Sequence, residues 1–244
     1  MPINTEKFKT WFTERPYITK VEPERSALLV IDMTYISAHK DHGVGAILKA
    51  KGAEAAGQYY YDRVEKMLIP NQNRLIDFFR GHGIPVIFMT FSPTRKDARD
   101  LYPPGYIADL ESRKYDTDLF SSKDSDLDIM GIREDLDMRE GDMLINKLSS
   151  GAFYTSNLDA TLRFMGIKTL FFTGVCTNMC VESTAREAVD RGYNAIIIED
   201  ACATYKKEWQ EATCEIFEMI FGAVFSTEEV ISDYPWYTWS AYEL

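Results

Sequence analysis

The sequence predicts a single α/β domain built on a parallel β-sheet, and three observations support this fold class. Short apolar runs rich in β-branched residues alternate with segments of helical periodicity. The runs are continuously apolar rather than alternating in polarity, which is typical of strands buried on both faces. The chain has 244 residues, 45% of them hydrophobic, without an internal repeat or a low-complexity linker, so one sheet accounts for most of its length.

Six short apolar runs are the predicted strands, because each is too short for a typical helix and is bounded by polar or turn-forming residues. The last run is the weakest, since it has only three residues. In chain order the predicted strands are Ser26–Ile31, Pro85–Phe91, Asp142–Asn146, Thr169–Thr173, Asn194–Ile198 and Ala223–Phe225.

Four segments between these strands are predicted helices, because each has an apolar face and a glycine close after its end. Arg63–Phe79 has apolar residues at positions 67, 68, 75 and 78, and Pro70 either starts this helix or kinks it. Trp209–Ile220 carries the apolar side chains of positions 216, 219 and 220 on one side. The other two helices are Leu158–Met165 and Asn178–Arg191.

Two connections are longer than a compact domain requires. They are Ala38–Tyr61, rich in Gly and Ala, and Ser92–Gly141, which contains a Pro-Pro-Gly turn and a charged stretch. Both leave predicted strands at the carboxyl edge of the sheet, where open α/β sheets bind their ligands. Each connection is therefore predicted either to cover the site as a lid or to contact a neighbouring subunit.

The charge balance excludes some classes of function. The chain has 27 Lys and Arg against 38 Asp and Glu, a net charge of −11, so we predict that it binds neither nucleic acid nor anionic membranes. Its polar N-terminal segment does not resemble a secretion signal, and no apolar run approaches the roughly 20 residues that span a bilayer. We therefore expect a cytoplasmic protein.

The four cysteines all lie in the C-terminal third, which is a poor disulfide framework for a chain of this length. Cys176 and Cys180 have C-x3-C spacing, but no second cysteine pair or histidine pair accompanies them. Since the chain also has only three histidines, we predict reduced thiols, no metal site and no cofactor.

Three ionisable residues lie where predicted strands end. Asp32 follows the first strand, Lys147 follows the third, and Cys180 lies where the fourth gives way to a helix. Taken singly, the aspartate suits a turn, the lysine a solvated surface and the cysteine a small buried core position. Because a parallel sheet brings its carboxyl ends to one edge, the three side chains can also converge on a single site.

Together these residue types suit nucleophilic catalysis on a carbonyl group. A cysteine attacks as its thiolate, which the start of a helix and a nearby lysine ammonium both favour. An aspartate within reach can take the thiol proton and return it to a leaving amine. The histidines at positions 39, 42 and 82 lie in a long connection or at a helix end, so a cysteine–histidine pair ranks lower.

The same segments resemble the isochorismatase-like cysteine hydrolases, a superfamily that includes nicotinamidases, N-carbamoylsarcosine amidohydrolases and ureidoacrylate amidohydrolases. The matching stretches are LLVIDM, INKLSSGAFYTSNLDATLRFMGI and TGVCTNMCVESTAREAVDRGY, and the likeness runs from about Ser26 to Ile231. It implies a Rossmann-like three-layer α/β/α sandwich with a six-stranded parallel sheet. Residues 1–244 then form one domain with a core of about 26–231, an N-terminal extension and an aromatic C-terminal tail.

By this resemblance Asp32, Lys147 and Cys180 correspond to the catalytic triad of the family. The family also has a cis peptide bond, which here falls between Val175 and Cys176, and the backbone amides of Cys176 and Cys180 correspond to its oxyanion hole. The implied reaction cleaves a C–N bond of a small amide, ureide or carbamoyl compound through a thioester and releases ammonia or an amine.

The resemblance also bears on the substrate. TNMCVESTAREA looks most like the ureidoacrylate and carbamoyl-cleaving branch, whereas the stretch after the second strand lacks the histidine with which nicotinamidases bind metal. The first strand continues as MTYIS, which departs from the Gln-Asn-Asp-Phe-like stretch of many relatives. Candidate substrate contacts are Tyr35, Phe153, Tyr154 and Asn178, with Arg95 or Tyr106 reaching in from the second long connection.

Two other functions fit the same fold. One is vinyl-ether hydrolysis of the isochorismatase type, which does not need a sulfur nucleophile, and the other is binding without catalysis. A complete set of aspartate, lysine and cysteine argues against both.

The segment Tyr234–Tyr242 contains five aromatic residues, which are predicted to pack on a partner subunit. We therefore expect a homo-oligomer, either a dimer or a tetramer.

Overall fold

A computed structural model describes residues 21–115, 119–120 and 127–236, and an all-parallel, six-stranded sheet lies at its centre. The strands are β1 Ser26–Ile31, β2 Val86–Phe91, β3 Met143–Lys147, β4 Thr169–Val175, β5 Asn194–Ala203 and β6 Ala223–Phe225. They stand in the order β3–β2–β1–β4–β5–β6. The predicted α/β sandwich with a parallel six-stranded sheet is confirmed.

Helices cover both faces of this sheet. They are α1 Tyr35–Ala38, α2 Gly43–Ala50, α3 Gln58–Arg63, α4 Ile69–Gly81, α5 Pro103–Ser112, α6 Leu158–Phe164, α7 Glu182–Asp190, α8 Lys207–Ile220 and α9 Thr227–Ser232. The core on one face includes residues of α4 and α9, and the core on the other includes residues of α6, α7 and α8. Burial on both faces explains why the central strands are continuously apolar.

The direction in which strands are added reverses beside β1. The chain adds β2 and β3 on one side of β1 and then returns to add β4 on the other. Gly174 lets β4 approach β1 closely, because its φ is +113° and a Cβ there would lie 2.0 Å from the carbonyl oxygen of Ile31. Asp32 and Cys176, which follow these two strands, therefore flank the crevice where α/β sheets bind ligands.

Two predicted helices are built from more than one helical piece. The segment predicted as Arg63–Phe79 comprises the end of α3, a π-helical turn at Val64–Leu68 and most of α4, with Pro70 in the first turn of α4. The segment predicted as Asn178–Arg191 begins as a π-helical turn at Thr177–Val181 and continues as α7. Both segments are helical, as their periodicity predicts. The π-helical turn in each of them was not predicted.

Strand β5 is longer than its apolar run. It continues past Ile198 to Ala203, through polar residues that the sequence does not mark as a strand. The Arg63 guanidinium donates to the carbonyl oxygens of Glu199 and Cys202, which ties this extension to the helical layer above it. A partner distant in sequence therefore sets the end of the strand.

Among the described residues, four helices lie wholly outside the predicted ones. α1 follows β1, the two long connections contain α2 and α5, and α9 follows the last strand. The start of α9 has a recognisable signal, because Ser226 and Glu229 form a reciprocal capping box.

Trp236 corrects part of the expectation for the aromatic C-terminal tail. Its side chain is fully buried in the core of the α4 layer, with ring contacts to Phe79 and Phe171, rather than exposed for a partner subunit. Its indole N–H donates to the carbonyl oxygen of Val230 at 2.7 Å. Residues 1–20 and 237–244, which hold the predicted N-terminal extension and the rest of the tail, lie outside the described residues.

Trp236→Ala is expected to lower the free energy of unfolding by about 3–5 kcal/mol, because it removes a fully buried indole and its hydrogen bond. Urea denaturation measures this loss. Trp209→Ala is the control, since Trp209 is 41% exposed on α8 and its removal should change the stability by less than about 1 kcal/mol. Equal losses in the two variants would contradict a core role for Trp236.

Candidate active site

The carboxyl edge of the sheet brings Asp32 and Lys147 together. Lys147 Nζ lies 2.8 Å from Asp32 Oδ2, and the two side chains are 0% and 2% exposed, respectively. Because β2 separates β1 from β3, the lysine side chain crosses the end of β2, where its ammonium lies 4.9 Å from the centre of the Phe91 ring. A buried ion pair therefore lies at this edge of the sheet.

The contacts of Lys147 keep it in its charged form. Besides Asp32, its ammonium donates to the carbonyl oxygen of Ser149 at 3.0 Å. Burial opposes the charge, but the interaction with the Asp32 carboxylate outweighs it, so the pKa of Lys147 lies above its ordinary value. Lys147 therefore supplies positive charge rather than a basic nitrogen.

Asp32 occupies a backbone conformation that few non-glycine residues adopt. Its φ is +54°, and its amide donates to the carbonyl oxygen of Met89 at 3.0 Å. Oδ2 pairs with Lys147, whereas Oδ1 is buried and has no hydrogen-bond partner among the N and O atoms of the described residues. One carboxylate oxygen is therefore anchored, and the other can accept a proton.

Cys180 lies in the π-helical turn Thr177–Val181, which links β4 to α7. The amide of Met179 donates to the carbonyl oxygen of Cys176 at 3.0 Å, and the peptide bond between Val175 and Cys176 is cis. Cys180 as a residue is partly exposed.

The surroundings of Cys180 favour its neutral thiol. Burial raises the pKa of the thiol and the Asp32 carboxylate raises it further, whereas the Lys147 ammonium acts in the opposite direction. Desolvation and the carboxylate therefore oppose the stabilisation of the thiolate that we expect from the lysine. The electrostatic influence of Asp32 on the thiol therefore favours a proton on the sulfur.

Alkylation of Cys180 by iodoacetamide is expected to follow this raised pKa, since the thiolate is the reactive form. The rate should be low near neutral pH and should rise at a higher pH than that of an ordinary thiol, whose pKa is about 8.5. Peptide mass spectrometry at a series of pH values measures the rate for each cysteine separately. Full reaction of Cys180 at neutral pH, ahead of an unfolded control, would contradict this protonation state.

Cys176 belongs to the opposite layer from Cys180. Its side chain packs on the α4 side of the sheet near Tyr60 and Tyr205, whose rings stack at 4.5 Å. Burial raises the pKa of its thiol to about 12, although a hydrogen bond with Tyr60 acts in the opposite direction. Its sulfur lies on the other side of the sheet from that of Cys180, and its backbone amide is the group that the family resemblance assigns to the site.

Three of the candidate substrate contacts lie in different surroundings. Phe153 is 5% exposed and contacts Tyr193 in the core, whereas Tyr154 beside it is 84% exposed. Asn178, in the turn that carries the cysteine, accepts a hydrogen bond from Thr204 Oγ1 at 2.5 Å. In this structure Phe153 is a core side chain, Tyr154 a surface side chain, and Asn178 ties the turn to the end of β5.

The fourth candidate, Tyr35, begins α1 beside two histidines. Its ring centre lies 5.6 Å from that of His39 and 5.7 Å from that of His42. Burial lowers the pKa of His39, and the electrostatic influence of Arg133 and His42 lowers it further. The neutral ring is therefore favoured. Within the described ranges, no group of three or more His, Cys, Asp or Glu side chains is arranged to hold a metal ion.

The second long connection places Arg95 and Tyr106 in its outer part. Arg95 is exposed, makes two hydrogen bonds with Asp97 at 2.9 and 2.8 Å, and lines a surface cleft of about 390 Å³. Tyr106 is a half-buried residue of α5. A second cleft, of about 440 Å³, is lined by residues of α2 and α3, and Cys180 lines neither cleft. No helix in the described part of the chain is long and apolar enough to cross a membrane.

The chain is similar to known proteins over most of its length. Residues 26–229 match the isochorismatase domain. The uncharacterised isochorismatase family protein YwoC of Bacillus subtilis (strain 168) is 32% identical over 164 residues, which are 67% of this chain and 82% of that protein. A ureidoacrylate amidohydrolase, RutB of Pseudomonas syringae pv. syringae (strain B728a), is 28% identical over 224 residues, which are 88% of this chain and 86% of that protein.

Solved structures share the fold. The N-carbamoylsarcosine amidase from Thermoplasma acidophilum has a TM-score of 0.57 at 25% identity, and the match covers 84% of this chain and 98% of the amidase. A cysteine hydrolase from Pseudomonas syringae pv. phaseolicola 1448A has a TM-score of 0.65 at 22% identity and covers 88% of this chain and 94% of its own, which shows likeness of fold alone.

Proposed function

The chain belongs to the isochorismatase family of hydrolases, and we propose that it is a cysteine amidohydrolase. The proposed reaction cleaves a C–N bond of a small amide, ureide or carbamoyl compound through a thioester on Cys180 and releases ammonia or an amine. The likeness to a ureidoacrylate amidohydrolase and to an N-carbamoylsarcosine amidase supports this class of bond.

One observation carries the proposal: a partly exposed cysteine interacts with a buried carboxylate that a buried ammonium anchors through one oxygen. Asp32 is suited to be the base, because its Oδ1 has no partner among the N and O atoms of the described residues. Lys147 is not suited to that role, because its pKa is raised and its protons are donated to neighbours.

Acylation begins when Asp32 takes the proton from the Cys180 thiol and the sulfur attacks the carbonyl carbon of the substrate. The ammonium of Lys147 stabilises the thiolate that forms. The backbone N–H groups of Cys176 and Cys180 donate to the oxyanion of the tetrahedral intermediate, and each such donor contributes about 3 kcal/mol. The C–N bond then breaks, and the leaving nitrogen takes the proton held by Asp32.

In deacylation Asp32 again acts first as base and then as acid, and the sulfur of Cys180 is now the leaving group. Asp32, ionised again, takes a proton from a water molecule as that water attacks the thioester carbonyl. The C–S bond breaks, the sulfur of Cys180 regains the proton from Asp32, and the acid product leaves. A neutral or modestly anionic substrate suits the site, because its positive charge is one paired lysine in a chain of net charge −11.

An ammonia-release assay over primary amides, carbamoyl amino acids and ureides tests the proposal. We expect release from at least one compound with the unmodified protein and with Cys214→Ala, and no release with Cys180→Ala. Cys214 is the matched control, because it is also a partly exposed free thiol. No release by folded protein, or equal release by Cys180→Ala, would contradict the proposal and favour vinyl-ether hydrolysis or binding without catalysis.

A further inference from the structure

We infer that Arg133 is a positioning residue that holds the segment following Asp32, and with it the Asp32 carboxylate, in place beside Cys180. The inference rests on the proposed function, in which Asp32 is the base. Arg133 is far from Asp32 in the sequence and lies in the long connection between β2 and β3. Its backbone amide and its Nη1 both contact the chain that leaves β1.

The chain needs support where it leaves β1, because Asp32 stands there in the left-handed region with a φ of +54°. β1 ends at Ile31, and the bond from the Asp32 amide to the carbonyl oxygen of Met89 extends the hydrogen bonding to β2 by one residue. Lys147 anchors one carboxylate oxygen of Asp32, and beyond that contact the position of the Asp32 backbone depends on where the following residues are held.

The backbone of Arg133 holds the start of that segment. Its amide donates to the carbonyl oxygen of Met33 at 2.9 Å. Next to it, Thr34 and Ile132 form a single antiparallel bridge. The residue directly after Asp32 is therefore fixed by a chain segment that is not part of the sheet.

The side chain of Arg133 holds the end of the same segment. Its Nη1 donates to the carbonyl oxygen of Ala38 at 2.5 Å, and the guanidinium also pairs with Glu65 and Asp135. The Arg133 side chain is 5% exposed, whereas those of Glu65 and Asp135 are 41% and 42% exposed, so the arginine is the buried member of the cluster. A lysine has no planar fork and cannot make these bonds together.

Arg133→Gln is expected to lower the pH midpoint of Cys180 alkylation by iodoacetamide by about half a unit to one unit, toward the lower midpoint expected for Asp32→Asn. The sign follows from the charges: the Asp32 carboxylate raises the pKa of the thiol, so moving it away lowers the midpoint. Loss of the positive charge of Arg133 would by itself raise the midpoint, because a positive charge favours the thiolate. A purely structural role would lower Tm without lowering the midpoint.

Arg80→Gln is the matched control for this experiment. Arg80 also bonds two carboxylates and a backbone carbonyl, on Asp137 and Asp142, and these partners lie outside the segment after Asp32. We expect both glutamine variants to lower Tm and only Arg133→Gln to lower the midpoint. Arg133→Lys keeps the charge without the fork, should lower the midpoint by a smaller amount, and provides the measurement if Arg133→Gln does not fold.

A midpoint that stays at the unmodified value or rises, in whichever folded variant of Arg133 is measured, overturns the inference. An equal decrease in Arg80→Gln overturns it as well. The probe is iodoacetamide and no substrate is used, so a failure of the proposed amidohydrolase activity is recorded separately, as absent ammonia release with the alkylation shifts intact.

Discussion

Cys180→Ala is expected to lower the turnover number for ammonia release by about 10⁴-fold or more while the fold stays intact. Without the sulfur no thioester forms, and Asp32 can only activate water at a carbonyl that no covalent bond holds. Circular dichroism and thermal unfolding establish that the variant is folded. The expected loss is large because the nucleophile takes part in every step of both half-reactions.

Cys176→Ala is the companion variant, because it removes a thiol and keeps the backbone N–H that the mechanism uses. The thiol of Cys176 packs near Tyr60 on the opposite side of the sheet from Cys180, so it is not expected to act as a nucleophile. The turnover number should fall by less than about tenfold, the change that a modest shift of one oxyanion donor produces. A loss as large as that of Cys180→Ala would contradict the assignment of the nucleophile.

Lys147→Met is expected to lower the free energy of unfolding by about 3–5 kcal/mol and to abolish measurable turnover. Methionine fills a similar volume, but it leaves the Asp32 carboxylate, 2% exposed, without the ammonium that lies 2.8 Å from it. The thiolate of Cys180 also loses its positive neighbour.

The double variant Asp32→Asn with Lys147→Met separates stability from catalysis. It leaves no buried charge, so it should regain most of the stability lost by Lys147→Met and none of the activity. Urea denaturation of the single and double variants gives both free energies. A loss below about 1 kcal/mol in Lys147→Met would mean that the pair behaves as a solvated surface ion pair.

The parallel sheet could be predicted from the sequence because burial on both faces leaves a direct trace in it. The run SALLVI places Leu28 and Val30 in one core and Leu29 and Ile31 in the other, so it contains no polar interruption. The polar end of β5 could not be predicted in this way, because Arg63 holds it from a helix distant in the sequence.

The three central side chains of the candidate site could be named from the sequence because each follows a strand at one edge of the sheet. The carbonyl oxygen of Ser149 could not, since no residue type marks a backbone acceptor. The ring of Phe91 under Lys147 has one weak signal, an aromatic residue at the end of a strand. The protonation of Cys180 depends on burial and on the distance to a carboxylate, which a sequence does not contain.

The covalent intermediate on Cys180 is the central claim, and trapping with hydroxylamine tests it most directly. With a compound that releases ammonia in the screen, thioester transfer to hydroxylamine predicts a hydroxamate product with the unmodified protein and none with Cys180→Ala. Acid-quenched protein should also carry the acyl mass on the peptide that contains Cys180. Full ammonia release with neither hydroxamate nor acylated Cys180, and undiminished in Cys180→Ala, would contradict the mechanism.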